Sequence, residues 1–387
     1  MKVALVHDWL TGMRGGERCL LAFLELYPEA DIFTLLHIPG TTSEIIDSRV
    51  KHTSLLQLIP GSKRFYRILL PLYPTAVKQL DFTGYDLVIS LSHAAAKNIR
   101  VPAGTTHVSY CFTPMRYIWD QAERYFGRAT PILWPTIELL RKWDLRGAQR
   151  TDQFVAISKF VAARIKCFYG RQAEVIYPPV DTSWIKPARE GEKGAAFLYA
   201  GALVPYKRPD LVVEAFNRTG EPLWIVGTGP EERRLREMAN SNINFFGHVS
   251  DEELAVYYRG CRALIFPGTE DFGMVPIECM AAGRPVIGVF DGGLRETLSG
   301  VKPWESGGLQ PHEASGVFFK KNLEENADAL IEAIEYFKEK EKEFTIKSCV
   351  ERARVFSPER FSSSWVTFIA KNNIQVSDSE ISCAVNF

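Results

Sequence analysis

Two carboxylates stand eight residues apart in the stretch Pro267-Gly268-Thr269-Glu270-Asp271-Phe272-Gly273-Met274-Val275-Pro276-Ile277-Glu278. The apolar run ending at Phe266 reads as a parallel strand, so Glu270 falls in the loop at its carboxyl end, where doubly wound sheets bind ligands. Pro276 suits a first helical turn, where a missing N–H costs nothing. Gly283 is a natural stop, which puts Glu278 about one turn into the helix. Amides around Gly273, Met274 and Val275 can then receive a diphosphate, helped by the helix dipole. A carboxylate inside the first turn can grip vicinal ribose hydroxyls, and one ahead of it can hold the hydroxyls of a sugar. Acids also collect at helix starts for capping and dipole reasons alone, so the pair by itself leaves both readings open.

A cation is placed to join them. Gly201-Ala202-Leu203-Val204-Pro205-Tyr206-Lys207-Arg208-Pro209 follows the strand ending at Ala200 and precedes a helix. A lysine in such a loop can neutralise a leaving diphosphate, although most lysines are solvated surface groups. Gly227-Thr228-Gly229-Pro230 and Gly247-His248-Val249 also follow strands and permit close backbone approach, as ordinary turns do too.

The elements that must position these residues alternate between short apolar runs and helical patterns, the signature of parallel sheets covered by helices. Residues 2–7 lead through Asp8–Gly16 into an amphipathic stretch, Glu17–Tyr27. Further strands are expected at Ile32–Leu36, Leu87–Leu91, His107–Cys111, Phe154–Ile157 and Glu174–Tyr177. Ser158 caps a helix that ends at Gly170. After Tyr177-Pro178-Pro179-Val180-Asp181, the polar residues 184–194 read as an interdomain linker. A second alternation follows, with strands at Ala196–Ala200, Leu223–Gly227, Ile243–Phe246, Ala263–Phe266 and Pro285–Val289. Leu323, Ala327, Leu330, Ile331, Ile334 and Phe337 recur at helical spacing. Phe361, Trp365, Phe368 and Ile369 mark a last amphipathic helix starting near Ser357-Pro358, and residues 372–387 read as a loose tail.

The totals agree with two globular α/β domains. The chain has 387 residues, too many for one ordinary core. Its 46 basic and 46 acidic residues cancel, so no global field draws it to nucleic acid. Seven scattered cysteines, with no C-x-x-C pair, indicate neither a disulfide framework nor a zinc site. No window approaches the length of a membrane span, and a cytoplasmic protein is expected.

Together these segments resemble the retaining GT-B glycosyltransferases of family 4, whose hallmark Glu-x7-Glu is matched by Glu270 and Glu278 with Phe272-Gly273 between. Gly15-Gly16-Glu17, Tyr177-Pro178-Pro179-Val180-Asp181, the Lys207 loop and Gly227-Thr228-Gly229-Pro230 occur in the family's order. Thr113-Pro114-Met115-Arg116-Tyr117-Ile118-Trp119-Asp120 is similar to the branch containing bacterial polysaccharide mannosyltransferases. The resemblance implies two Rossmann-like doubly wound domains facing a central cleft, residues 1–181 plus 356–387 on the acceptor side and 182–355 on the donor side. It also implies a C-terminal helix that returns to the first domain.

On that basis Glu278 holds the ribose, Glu270 the donor sugar and Lys207 the diphosphate. Gly15 and Gly16 admit it to the first domain's backbone, and Phe272, Gly273, Met274, Val275 and Val249 complete the donor site. Two positions depart from the family. Ala202 stands where an arginine is common, with Arg208 as the candidate replacement. Phe112 stands where a histidine commonly lines the sugar site, with His93 as the candidate substitute.

The implied reaction moves a hexose, mannose from GDP-mannose by resemblance, to a glycan or lipid-linked glycan during cell-surface polysaccharide synthesis. No Asp-x-Asp triplet occurs, so cations and amides are expected to do a metal's work, with no metal or cofactor. Lys51–Lys78 and Leu133–Arg150 mix apolar with basic residues. They suit either peripheral contact with an anionic membrane at the inner face of the cell membrane or helices packed on the core with cationic rims. A nucleotide-sugar epimerase or hydrolase, or a non-catalytic nucleotide-sugar-binding protein, fits the same scaffold. A kinase is excluded because no His-Arg-Asp catalytic loop accompanies Asp271-Phe272-Gly273. A dehydrogenase is disfavoured because no G-x-G-x-x-G follows either domain's first strand.

Overall fold

The computed structural model describes residues 1–321 and 326–374, without the side chains of residues 64, 67, 124 and 128. Leu323, residues 375–387 of the expected tail, and the side chains of Arg64 and Arg67 lie outside the described residues. The chain divides into two units, Met1–Pro179 with Pro358–Phe387, and Val180–Ser357.

Unit 1 is built on seven strands among the described residues: β1 (Val3–His7), β2 (Asp31–Thr34), β3 (Val50–Thr53), β4 (Leu87–Ser92), β5 (Thr106–Cys111), β6 (Gln153–Ala156) and β7 (Glu174–Val175). Their order is β3-β2-β1-β4-β5-β6-β7 and every pairing is parallel. Unit 2 repeats the plan with β8 (Ala196–Ala200), β9 (Leu223–Val226), β10 (Ile243–Gly247), β11 (Cys261–Phe266), β12 (Val286–Val289), β13 (Gly300–Val301) and β14 (Gly316–Phe319). There the order is β10-β9-β8-β11-β12-β14-β13, again parallel. The strand order reverses at β1/β4 in one unit and at β8/β11 in the other. Such switch points open a crevice outside the carboxyl ends of the strands. The expected doubly wound α/β architecture is the one the chain adopts.

Burial explains why the apolar runs form strands. All residues of β1, β4, β8 and β12 are buried, as a sheet covered on both faces requires. Ser158 accepts a hydrogen bond from the Val161 N–H, and Gly170 closes the helix Lys159–Tyr169 in the left-handed conformation. The last helix, Pro358–Lys371, buries Phe361, Trp365, Phe368 and Ile369. In unit 1 Trp365 stacks edge-on against Phe23 at 4.6 Å and donates its indole N–H to the Tyr27 hydroxyl at 3.0 Å.

The linker expectation is corrected. Residues 184–194 lie inside unit 2 and pack on it. Ile185 and Ala188 are buried, the Ala188 N–H reaches the Ala282 carbonyl at 2.9 Å, and Glu192 pairs with Arg259 at 2.8 Å. Glycine, proline and charge made the segment look like a spacer, while its two small apolar anchors were too sparse to register as a pattern. Strands β3, β13 and β14 also went unread, the first two because they carry little apolar pattern. β3 is Val-Lys-His-Thr at a sheet edge with mostly exposed side chains, and β13 has only two residues.

Candidate active site

The reversal at β8/β11 brings two loops together. Lys207 follows β8 and Glu270 follows β11, and their side chains meet with Nζ 2.7 Å from Oε1. The loops run backbone against backbone, since a Cβ on Gly268 would sit 2.9 Å from the Lys207 Cα. Burial disfavours the Lys207 ammonium, but the charge and hydrogen bond of Glu270 outweigh it and raise its pKa. The cation is therefore held charged at the open end of the sheet. The Glu270 carbonyl accepts the Gly293 N–H at 2.8 Å, and the neighbouring Thr269 hydroxyl donates to Asp291 at 2.8 Å. Asp291 in turn pairs with Lys321 at 2.7 Å.

Past Glu270 the chain turns through Gly273, whose φ of 89° favours glycine, and enters the helix Met274–Ala281. The amides of Gly273, Met274 and Val275 lie at this N-terminus, where the first turn of a helix has no intrahelical carbonyl to bond. Phe272 itself turns inward and packs on Phe356 at 5.5 Å, so its ring is a packing group and its backbone is what it offers a ligand. Glu278 is 6% exposed in a helix whose residues from Pro276 to Ala281 are all buried. The buried Tyr258 hydroxyl donates to its Oε2 at 2.7 Å. Burial and the Glu278 charge push the Tyr258 phenol pKa well up, so Tyr258 remains a donor.

Arg208 adopts a left-handed backbone (φ 55°) ahead of the helix Pro209–Thr219, and its Nε lies 3.2 Å from Asp210 Oδ1. Val249 is half-buried in the loop after β10. The Gly-x-Gly turn at 227–229 has a structural use. A side chain at Gly227 would strike the Gly201 carbonyl, and one at Gly229 the Leu203 backbone. These glycines let the turn after β9 pack on the lysine loop.

In unit 1 the reversal at β1/β4 gathers a second group. Gly15 and Gly16 open the helix Gly15–Leu26, preceded by Arg14, whose N–H reaches Glu17 Oε2 at 3.1 Å. His93 follows β4. Its Nδ1 is 3.1 Å from Asp8 Oδ2 and its ring stands edge-on to Trp9 at 4.4 Å. Fully buried Asp8 also accepts the backbone N–H groups of His93, Ala94, Ala95 and Ala96 at 2.6–2.9 Å. His7 and Phe112 adjoin His93, with ring centroids 6.2 and 6.4 Å away. Neither His7 nor Asp8 stood out among the candidate residues. The available signal was a polar pair, His7-Asp8, closing an otherwise apolar strand.

Family models match almost the whole chain in two parts: Glycosyltransferase Family 4 over residues 13–184 and Glycosyl transferases group 1 over residues 180–355. The chain belongs to the GT-B glycosyltransferases. The chain is 35% identical over 98 residues to the O-antigen chain mannosyltransferase C of Escherichia coli, a match covering 24% of this chain and 26% of that one. It is 28% identical over 196 residues to a GDP-mannose-dependent alpha-(1-6)-phosphatidylinositol monomannoside mannosyltransferase of Mycobacterium tuberculosis, covering 43% and 51%. The chain thus spans between a quarter and about half the length of these curated relatives. Among solved structures, Anabaena Alr3699/HepE in complex with UDP shares the fold with a TM-score of 0.68 at 15% identity, over 96% of this chain and 100% of that chain.

Proposed function

We propose that the chain transfers a hexose from a nucleoside diphosphate to a glycan or lipid-linked glycan hydroxyl, retaining configuration, with GDP-mannose as donor. The observation that carries this reading is the Lys207–Glu270 pair at the β8/β11 reversal, beside the helix start that leads to Glu278. An anion, a sugar and a ribose each find a chemically matched group there. Lys207 and the amides of Gly273, Met274 and Val275 stabilise the charge that grows on the departing phosphate, and this help is largest in the transition state. Glu270 receives sugar hydroxyls and Glu278 the ribose diol. The bond from the anomeric carbon to the phosphate oxygen breaks and the acceptor oxygen bonds that carbon on the same face. The acceptor proton passes to the phosphate oxygen that leaves. Mannose is supported by the names of the two mannosyltransferase relatives, and the guanine base by the name of the Mycobacterium tuberculosis enzyme.

Peripheral membrane contact belongs to the same proposal. Leu58, Ile68, Ile132 and Leu139 are 83%, 73%, 82% and 68% exposed, while Leu56, Tyr66, Leu70, Ile137 and Leu140 from the same segments form part of the unit 1 core. These segments thus divide between side chains packed in the core and apolar side chains left exposed, as contact with a membrane surface requires. No helix among the described residues is long and apolar enough to cross a membrane.

Turnover tests the catalytic assignment. Lys207→Ala is expected to lower kcat by about 10²–10³-fold with donor KM changed less, and proton NMR of the product should give the donor's anomeric configuration. Unchanged kcat in the variant, or an inverted product, would contradict the mechanism.

A further inference from the structure

His7 ends β1 at the order reversal of unit 1 and is 1% exposed. Its Nδ1 lies 2.9 Å from the Trp9 carbonyl. A carbonyl only accepts, so Nδ1 carries the proton and the neutral ring keeps its lone pair on Nε2. That Nε2 is buried and finds no hydrogen-bond partner among the described residues. An acceptor left in that state is costly, and native proteins keep few of them without a use.

What faces the atom is the start of the helix Gly15–Leu26. A side chain at position 16 would place its Cβ 3.1 Å from His7 Nε2 and 3.5 Å from the Phe112 ring. Glycine there keeps residue 16 from placing a side chain against Nε2. The helix N-terminus supplies amide donors beside it. Two further buried hydroxyls near the ends of the neighbouring strands, Thr11 Oγ1 after β1 and Thr113 Oγ1 after β5, also lack partners among the described residues. The Asp8 carboxylate, by contrast, is occupied by four backbone N–H groups and His93.

We infer that His7 is a carbohydrate-recognition residue of unit 1, its Nε2 accepting a hydrogen bond from a sugar hydroxyl lodged at Gly15–Gly16. A hydroxyl both donates and accepts, which matches a lone pair set beside helix amides. A phosphate oxygen would meet that lone pair unfavourably unless the ring first took a proton. The inference rests on the transferase reading for the class of ligand, and the sugar has two sources, the donor's hexose or an acceptor sugar.

The direct test is imidazole 15N NMR of the full chain labelled in histidine, with the His7 signals assigned by their loss in His7→Phe. Separate additions of GDP, GDP-mannose, UDP-glucose and methyl α-D-mannopyranoside would be compared, and thermal shift would report which of them bind. The Nε2 resonance is expected to move with a sugar-bearing probe and stay still with GDP. A response to a sugar nucleotide identifies the donor's hexose, and one to the methyl mannoside identifies an acceptor sugar. In the binding assay, His7→Phe and Gly16→Ala should each weaken that probe about tenfold and leave GDP within about twofold. A sugar nucleotide that binds while Nε2 stays unmoved by every probe overturns the role of His7 and spares the transferase reading. Failure of every sugar nucleotide to bind overturns the transferase reading. His7 then stands only if the methyl mannoside alone moves its signal, and falls if nothing does.

Discussion

Glu278 is buried in a helix whose residues from Pro276 to Ala281 are all buried, and burying a carboxylate's charge without hydrogen-bond partners costs several kcal/mol. The Tyr258 hydroxyl offsets part of that cost. Glu270, Lys207 and Glu278 were legible in the sequence because each stands at a countable distance from the end of an apolar run. Tyr258 was not, because the bond that gives it a role reaches across 20 residues from one helix to another. His7 was hidden for the opposite reason, since it reads as the last residue of a strand. At this scale one group also sets a pH dependence. His107 is buried in β5, with its Nε2 2.9 Å from the Ser90 hydroxyl. Burial, then the charges of Lys97 and Arg150, push its pKa down to about 3. Between pH 6.5 and 3 the unfolded chain binds a proton that the folded chain refuses, so stability is lost as pH falls, by about 1.4 kcal/mol per unit. Chemical denaturation at pH 7, 6 and 5 should show a shallower decline for His107→Gln than for wild type. Parallel declines would contradict the assignment.

Each pair of inner strands acts as a unit that no single residue reveals. The order reversals at β1/β4 and β8/β11 place the loops after those strands side by side, and both candidate groups sit there. Alternation of strands and helices made this parallel plan readable, whereas edge strands such as β3 bury too little to leave a pattern. The helix Thr130–Arg150 shows what an amphipathic reading misses. Its fully buried Asp144 pairs with Lys97 and accepts from Asn98 at 3.0 Å, Trp119 at 2.8 Å and Tyr169 at 2.8 Å. This knot ties four segments of unit 1 together around one carboxylate. Asp144→Ala strands the Lys97 ammonium in the interior and should destabilise the chain by about 3–5 kcal/mol. Urea unfolding measures it, and a loss under 1 kcal/mol would mean that water or rearrangement satisfies Lys97.

For the whole molecule, the family assignment and the two parallel sheets leave the donor, the stereochemistry, the acceptor and the location as proposals. The exposed apolar residues of unit 1 give a direct prediction. Vesicles of anionic phospholipid at low salt should float the wild-type chain, and the combined Ile68→Glu, Ile132→Glu and Leu139→Glu substitutions should leave it at the bottom of the gradient. No flotation of wild type would remove the membrane contact. The central claim is that unit 2 holds a nucleotide sugar through Lys207, Glu270 and Glu278. Its most direct test is calorimetric titration of GDP-mannose, UDP-glucose and an ADP-sugar into wild type and Glu278→Gln. The account predicts that one donor binds, and that the variant loses about 1.5–3 kcal/mol of its affinity, the scale of a charged hydrogen bond. A donor that binds both proteins equally, or no donor that binds wild type at millimolar concentration, would contradict it.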